Sequence, residues 1–247
     1  MSDDRLILAV PSKGRLQEAA FDMFDDAGFA VTRAKGGRGY TGEIANLPQI
    51  DVLLLSAGEI ARGLDAGEIH LGITGEDLLR EYAPEFNASI ALLKPLGFGH
   101  ADVVVAVPQG WIDVSDIEDL REVSVDFFSR HRRRMRVATK YANITHQFFS
   151  AFGLTDYRIV ESLGATEGAP ASGAAELIVD ITSSGATLAA NDLKVIRGGT
   201  MLESQAQLAA SRNAVWSKSA LAALGTLSRS LELGDTAVIL ATSGDTS

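Results

Sequence analysis

With 247 residues, 46% of them hydrophobic, the chain is long enough for one large or two smaller α/β units with a real core. Its 32 acidic residues against 22 basic ones leave a net charge of −10, which speaks against general affinity for nucleic acid and favours solubility. The absence of cysteine removes disulfide and thiolate chemistry, and 4 histidines without paired spacing make no transition-metal site.

Met1-Ser2-Asp3-Asp4-Arg5 is acidic and the apolar run after it stops at Pro11, so neither a secretory leader nor a membrane span is expected and a cytoplasmic setting is. Beyond it, short apolar runs alternate with helical patterns, the signature of strands joined by crossover helices. Leu6 to Val10 is predicted as a strand. Ser12-Lys13-Gly14-Arg15 then opens a helix whose buried stripe is Leu16, Ala19, Ala20, Met23 and Phe24 and whose stop is Gly28. Asp51 to Leu55 is the next strand, Glu59 to Ala66 a helix, Leu71 to Gly75 a strand and turn, and Glu76 to Tyr82 another helix. A second unit is predicted to begin with the strand Ala101 to Val107. It continues through a helix from Ser115, a strand Arg136 to Thr139, a helix Ile144 to Phe152, and strands Tyr157 to Val160 and Leu177 to Ile181. The chain is then expected to return, with a strand Leu193 to Ile196 and a long helix Ser217 to Leu231 completing the first unit. The boundaries read this way are residues 1–100 with 184–231 for the first lobe, 101–183 for the second, and a tail over 232–247. No internal repeat or low-complexity linker is visible.

The most informative stretch runs from Glu176 to Leu188, an apolar strand ending in the carboxylate of Asp180, followed by Thr182-Ser183-Ser184-Gly185-Ala186-Thr187. Gly185 lets the backbone approach an anion, the hydroxyls of Thr182, Ser183, Ser184 and Thr187 can donate to it, and the following helix aims its first amides at the turn. Asp180 would repel phosphate, so it suits a sugar hydroxyl or a magnesium ion. The combination points to a phosphorylated sugar; an ordinary strand-to-helix connection is the competing reading. Lys13 and Arg15 place two cations at a helix start, which suits a pyrophosphate, or else a capped helix with solvated basic side chains. Arg136-Val137-Ala138-Thr139-Lys140-Tyr141 is a strand ending in a cation and an aromatic ring, suited to a nucleotide, with Lys140 on phosphate and Tyr141 on adenine. The run Arg130-His131-Arg132-Arg133-Arg134 reads first as a solvated helix end, although its charge could also attract a triphosphate. Glu76 and Asp77 read as first-turn acids, and His100 is assigned no role.

Glu167-Gly168-Ala169-Pro170 together with Asp180 to Asn191 resembles the phosphoribosyl-pyrophosphate segment of ATP phosphoribosyltransferase, the first enzyme of histidine biosynthesis. The segments Pro11 to Leu16, Leu71 to Leu78, Gly97 to His100 and Arg136 to Tyr141 match the same family in order, so the resemblance spans Leu6 to Leu231. It implies an α/β fold of two-lobed, periplasmic-binding-protein-like (type II) architecture, with mostly parallel sheets and the active site in the interlobe cleft. The implied reaction condenses adenine N1 of ATP with 5-phosphoribosyl 1-pyrophosphate. Adenine N1 is unprotonated at neutral pH, so the reaction needs alignment and charge stabilisation rather than a strong base. The resemblance assigns Lys13 and Arg15 to the pyrophosphate and Arg38, in Gly36-Gly37-Arg38-Gly39-Tyr40, to the reacting centre. It puts Glu161, Glu167 and Asp180 at the ribose, Thr182, Ser183, Ser184, Gly185, Ala186 and Thr187 at the 5-phosphate, and Lys140 and Tyr141 at ATP. Mg2+ is the implied cofactor, with Asp180 as a ligand shared with the substrate.

In one segment the chain departs from the family. Many members carry an arginine where Ser56 stands, in a segment ending Asp-Ile-Pro, whereas this chain reads Ser56-Ala57-Gly58-Glu59-Ile60-Ala61. The resemblance is to the short form, which lacks a histidine-binding C-terminal domain. That form is associated with a regulatory subunit resembling histidyl-tRNA synthetase, and a homo-oligomer, dimer or larger, is expected with no nucleic-acid or membrane partner. Two rivals are a two-lobed protein that binds a small anion without chemistry, and a phosphoribosyltransferase for another base.

Overall fold

The structure, a computed structural model, describes residues 5–33, 40–162 and 164–233. The chain divides into two units, Met1–Gly99 with Gln205–Ser247, and His100–Ser204. In chain order the first unit begins with β1 (Leu6–Pro11), α1 (Gly14–Asp26), β2 (Val31–Arg33), β3 (Thr41–Ile44) and β4 (Ile50–Leu55). It continues with α2 (Ala57–Asp65), β5 (Leu71–Gly75), α3 (Glu76–Tyr82), α4 (Phe86–Ser89) and β6 (Ile90–Pro95). The second unit holds β7 (Asp102–Pro108), α5 (Ile117–His131), β8 (Met135–Thr139), α6 (Ala142–Ala151) and β9 (Tyr157–Glu161). A short 3-10 turn (Thr166–Gly168), β10 (Leu177–Thr182), α7 (Ala186–Ala190) and β11 (Leu193–Leu202) complete it. The first unit resumes with β12 (Ala206–Ser211) and α8 (Lys218–Leu231).

The first sheet has the order β2-β3-β4-β1-β5-β12-β6. Its centre shows why the strands read as unbroken apolar runs: side chains alternate across a strand, and both faces are covered. Leu6, Leu8 and Val10 of β1 pack with Ala20 and Phe24 of α1 and with Ala220, Ala223, Leu224 and Leu227 of α8. Ala9 points the other way, into a cluster with Ile60, Ala61 and Leu64 of α2 and Leu79 of α3. At Gly72 in β5 an added Cβ would lie 2.5 Å from Ile60 Cγ2, so glycine here sets how close α2 packs to the sheet.

The second sheet has the order β11-β7-β10-β8-β9. Both sheets repeat one plan. Three neighbouring parallel strands (β4-β1-β5 and β9-β8-β10) are followed by one strand that runs against both its neighbours, β12 or β7, and then by an edge strand, β6 or β11. Each inserted strand follows directly on a crossing between the units. The expectation of mostly parallel sheets therefore holds for strand direction, while hydrogen-bonded neighbours are antiparallel in 6 of the 10 pairings between strands.

The second crossing falls between Ser204 and Gln205, not near residue 184 as the sequence pattern indicated. β11, assigned from sequence to the first unit, pairs with β7, with Leu193 opposite Pro108 and Val195 opposite Ala106. The apolar content of a strand marks it as a strand without naming the sheet it joins, and here the partner lies some 85 residues upstream. Most of the 232–247 tail lies outside the described residues; Glu232 closes α8 in the left-handed conformation at φ 50°. No helix among the described residues is long and apolar enough to cross a membrane.

Candidate active site

In the second unit β8, β9 and β10 run parallel, so their carboxyl ends share one edge of the sheet, where α/β proteins hold ligands. Register fixes the level: Thr139 stands opposite Glu161, and Ile178 opposite Ala138. Lys140, Glu161 and Asp180 thus stand at levels of the sheet within about one residue of each other, although β10 itself runs on to Thr182. Lys140 and Glu161 are exposed and Asp180 is half-buried. The Asp180 Oδ1 accepts the N–H of Ile181 at 2.8 Å, leaving Oδ2 for a ligand. Glu167 sits half-buried in the 3-10 turn, which packs on β10 and is pinned where the buried Thr166 hydroxyl donates to Ser162 Oγ at 3.0 Å.

The loop after β10 is built as a tight turn. Thr182 Oγ1 accepts the N–H of Gly185 at 2.8 Å, and Ser184 Oγ takes the N–H of Ala186 at a longer 3.4 Å. Gly185 is left-handed at φ 72°, ψ −5°, which glycine adopts without strain. The first hydrogen bond within α7 runs from Ala189 N–H to the Gly185 carbonyl, so the amides of Ala186, Thr187 and Leu188 precede the helical ladder. Ser183, Ser184, Ala186 and Thr187 are exposed.

Tyr141 corrects the sequence reading. Its side chain is 1% exposed, in the core of the second unit. Its backbone N–H donates to Thr139 Oγ1 at 2.9 Å, its carbonyl accepts from Thr145 Oγ1 at 2.6 Å, and the Lys140 ammonium lies 5.1 Å from its ring centroid. No open ring face remains for adenine. Tyr141, Ile144, Thr145 and Phe149 are all buried at i, i+3, i+4 and i+8, a helical stripe already present in the sequence. Lys140 is the member of the pair that stays at the edge.

In the first unit β4, β1 and β5 are parallel and present the corresponding edge. Lys13 and Arg15 leave β1 at the start of α1, both exposed and without an ion pair to another described residue. Ser12 is held by its N–H to the Leu55 carbonyl at 2.8 Å and by Arg33, whose Nη2 donates to the Ser12 carbonyl at 3.1 Å. Ser56, at the end of β4, caps α2 in a full capping box: Glu59 N–H donates to its Oγ at 3.3 Å, and its own N–H donates to Glu59 Oε2 at 2.8 Å. Glu76 is engaged by Arg80 Nε at 2.8 Å and by Gln207 Nε2 at 3.0 Å, in keeping with a first-turn acid. The residue missed by the pattern is Gln207, which comes from β12 and meets Glu76 only through a long-range strand pairing. Arg38 lies outside the described residues.

His70 is structural. Burial pushes its ring below the ordinary pKa of 6.5, with Nδ1 accepting the Ile7 N–H at 3.1 Å and Nε2 donating to the Val215 carbonyl at 3.0 Å.

Residues 56–232 match the family described as HisG, ATP phosphoribosyltransferase. An ATP phosphoribosyltransferase of Rhodopseudomonas palustris (strain BisB18) is 59% identical over 215 residues, covering 87% of this chain and 66% of that protein. One of Caulobacter vibrioides is 52% identical over 237 residues, covering 96% of this chain and 74% of that protein. The chain spans 66% of the length of the first of these relatives. Among solved structures, a chain of the ATP phosphoribosyl transferase (HisG:HisZ) complex from Thermotoga maritima superposes with a TM-score of 0.70 at 22% identity, covering 97% of this chain and 100% of that one. The likeness to that structure is one of fold. It agrees with the α/β, periplasmic-binding-protein-like class expected from the sequence and with the repeated strand plan of the two units.

Proposed function

Because the chain belongs to the ATP phosphoribosyltransferase family, we propose that it condenses ATP with 5-phosphoribosyl 1-pyrophosphate to give N1-(5-phosphoribosyl)-ATP and pyrophosphate, the first step of histidine biosynthesis. The observation that carries this reading is the single sheet edge that gathers Lys140, Glu161, Asp180 and the loop to Thr187. A phosphorylated sugar needs both kinds of group found there: amides and hydroxyls for the phosphate, carboxylates for the ribose hydroxyls.

In this mechanism Thr187 and the first amides of α7 bind the 5-phosphate, and Asp180 and Glu161 orient the ribose, so that its anomeric carbon meets adenine N1. The bond from that carbon to pyrophosphate breaks as the bond to N1 forms, with cationic character building on the ribosyl ring. Carboxylates stabilise that charge, and cations stabilise the leaving group. Lys13 and Arg15 are assigned to the pyrophosphate, Arg38 to the reacting centre and Lys140 to the ATP phosphates. No acid or base is required at N1, in keeping with a site that supplies charge and alignment only.

The residues fit a magnesium ion that arrives with the substrate. Asp180 offers one carboxylate with a spare oxygen, and among the described residues no group of three His, Cys, Asp or Glu could hold a resident metal. Mg2+ is commonly held in this way, by one or two carboxylates together with substrate phosphates. When bound, the ion would neutralise charge on the departing pyrophosphate.

The HisG:HisZ pairing of the Thermotoga maritima protein supports a HisZ-like partner here as well, in the regulatory role that the resemblance implies. A homo-oligomeric catalytic part in the cytoplasm belongs to the same proposal. The test is pyrophosphate release from 5-phosphoribosyl 1-pyrophosphate with ATP against free purine bases, with and without Mg2+. Release with ATP alone is expected. Release with another base would assign a different phosphoribosyltransferase, and none at all a binding protein. Asp180→Asn should raise KM for the sugar substrate about tenfold, the scale of a charge-assisted hydrogen bond, and change ATP binding little. Equal loss toward both substrates would remove Asp180 from the ribose.

A further inference from the structure

The hydrogen bonds within the loop after β10 set Thr182 apart from the other hydroxyls. Ser183, Ser184 and Thr187 are exposed, whereas Thr182 is half-buried at the end of the strand. Its Oγ1 accepts the Gly185 N–H at 2.8 Å, a full-strength hydrogen bond, while the contact of Ser184 Oγ with Ala186 N–H is at the limit of one at 3.4 Å. A Cβ added at Gly185 would meet nothing within 4 Å. The position therefore demands the left-handed backbone and not the space. The Thr182 bond spans the turn from one end to the other, holds that backbone, and occupies the glycine amide.

We propose that Thr182 is a positioning residue that orders the phosphate loop before substrate arrives, and that Gly185 contributes shape while its amide stays within the turn. The inference rests on the phosphoribosyl-pyrophosphate reading of this loop and deepens it. The amides left to the phosphate are then those of Thr187 and Leu188, together with that of Ala186, which Ser184 Oγ holds only at 3.4 Å. A loop already ordered loses less conformational freedom when the ligand binds, so the contribution of Thr182 falls on affinity for the sugar phosphate.

The experiment compares the full chain with Thr182→Val, Thr182→Ser and Thr187→Val by calorimetric titration with 5-phosphoribosyl 1-pyrophosphate and, separately, with ATP. Valine keeps the shape and loses the acceptor; serine keeps the acceptor. Thr182→Val is expected to weaken the sugar-phosphate dissociation constant about 5- to 10-fold, the worth of one hydrogen bond, and leave that for ATP in place. Thr182→Ser is expected to restore the wild-type value. Wild-type binding by Thr182→Val alongside weakened binding by Thr187→Val overturns the positioning role and leaves the phosphoribosyl reading standing. Thr182→Ser as weak as Thr182→Val overturns it in favour of methyl packing, and equal loss toward ATP overturns it in favour of a general structural role. A wild-type chain that binds no 5-phosphoribosyl 1-pyrophosphate overturns the functional reading itself.

Discussion

Glu176 gathers Arg133, from the basic run that precedes β8, and Arg136 of β8 itself. Its carboxylate accepts from both Arg133 terminal nitrogens at 3.1 Å each, from Arg136 Nη2 at 2.7 Å, and from the Arg136 backbone N–H at 2.7 Å. Burial acts to raise its pKa, but the hydrogen bonds from Arg136 and Arg133 outweigh it and hold the group at about 2, against an ordinary 4.5. A carboxylate with a depressed folded pKa contributes stability that is fully present above its unfolded value and is lost as pH falls toward the folded one. At pH 7 Glu176→Gln should therefore cost on the order of 3 kcal/mol. Denaturant titrations should show the gap between wild type and variant closing from about pH 4.5 down toward 2. A gap that persists unchanged in acid would mean the loss is one of packing. Two other members of the run are also paired, Arg130 with Asp126 at 3.0 Å and Arg134 with Asp156 at 4.0 Å, so part of its charge is balanced on the spot.

Helix α2 shows what a single residue at its start does for an element. Where many relatives are expected to carry arginine, Ser56 closes a reciprocal capping box with Glu59, whose own pKa is lowered first by the Ser56 side-chain hydrogen bond. Position 56 here starts a helix. Ser56→Ala should lower stability by about 1 kcal/mol, read as a shift in the urea midpoint with unchanged slope. At this scale much was legible before any coordinates. The strand from Leu71, the helix Glu76–Tyr82 and the helix ending at Leu231 stand where periodicity and caps put them. β12 was not legible, for a physical reason: Ala206-Gln207-Leu208-Ala209-Ala210-Ser211 is buried at every position, has no β-branched residue, and shows neither alternation nor a helical stripe. The short β2 and β3 were missed because pairing with a neighbour defines them more than their own composition does. In the loop after β10 the residue types were readable, but the internal bond from Gly185 to Thr182 was not, because a hydroxyl in sequence does not declare its partner.

Across the whole molecule, the two units differ in how they are assembled from the chain. The second is one continuous segment, His100–Ser204, whose strands all pair among themselves. The first depends on its returning portion: β12 stands between β5 and β6, and α8 covers β1. A fragment of residues 100–204 should unfold cooperatively on heating and give a dispersed amide spectrum. A fragment of residues 1–99 should do neither, because β6 has no other hydrogen-bonded neighbour among the described strands and the face under α8 would be bare. Adding residues 205–247 in trans and recovering order in the first fragment would give direct proof of that dependence.

The place of β12 has a further consequence for a polypeptide emerging from the ribosome. The amino-terminal portion of the first unit leaves the tunnel first yet lacks β12, the strand that joins β5 to β6, which is made only after the whole of the second unit. Translation thus finishes a later-made domain while an earlier-made one waits, with the β5 rim unzipped and free to meet other nascent chains. A truncation upstream of Ala206 would leave that rim open for good, and a pause there would prolong its exposure.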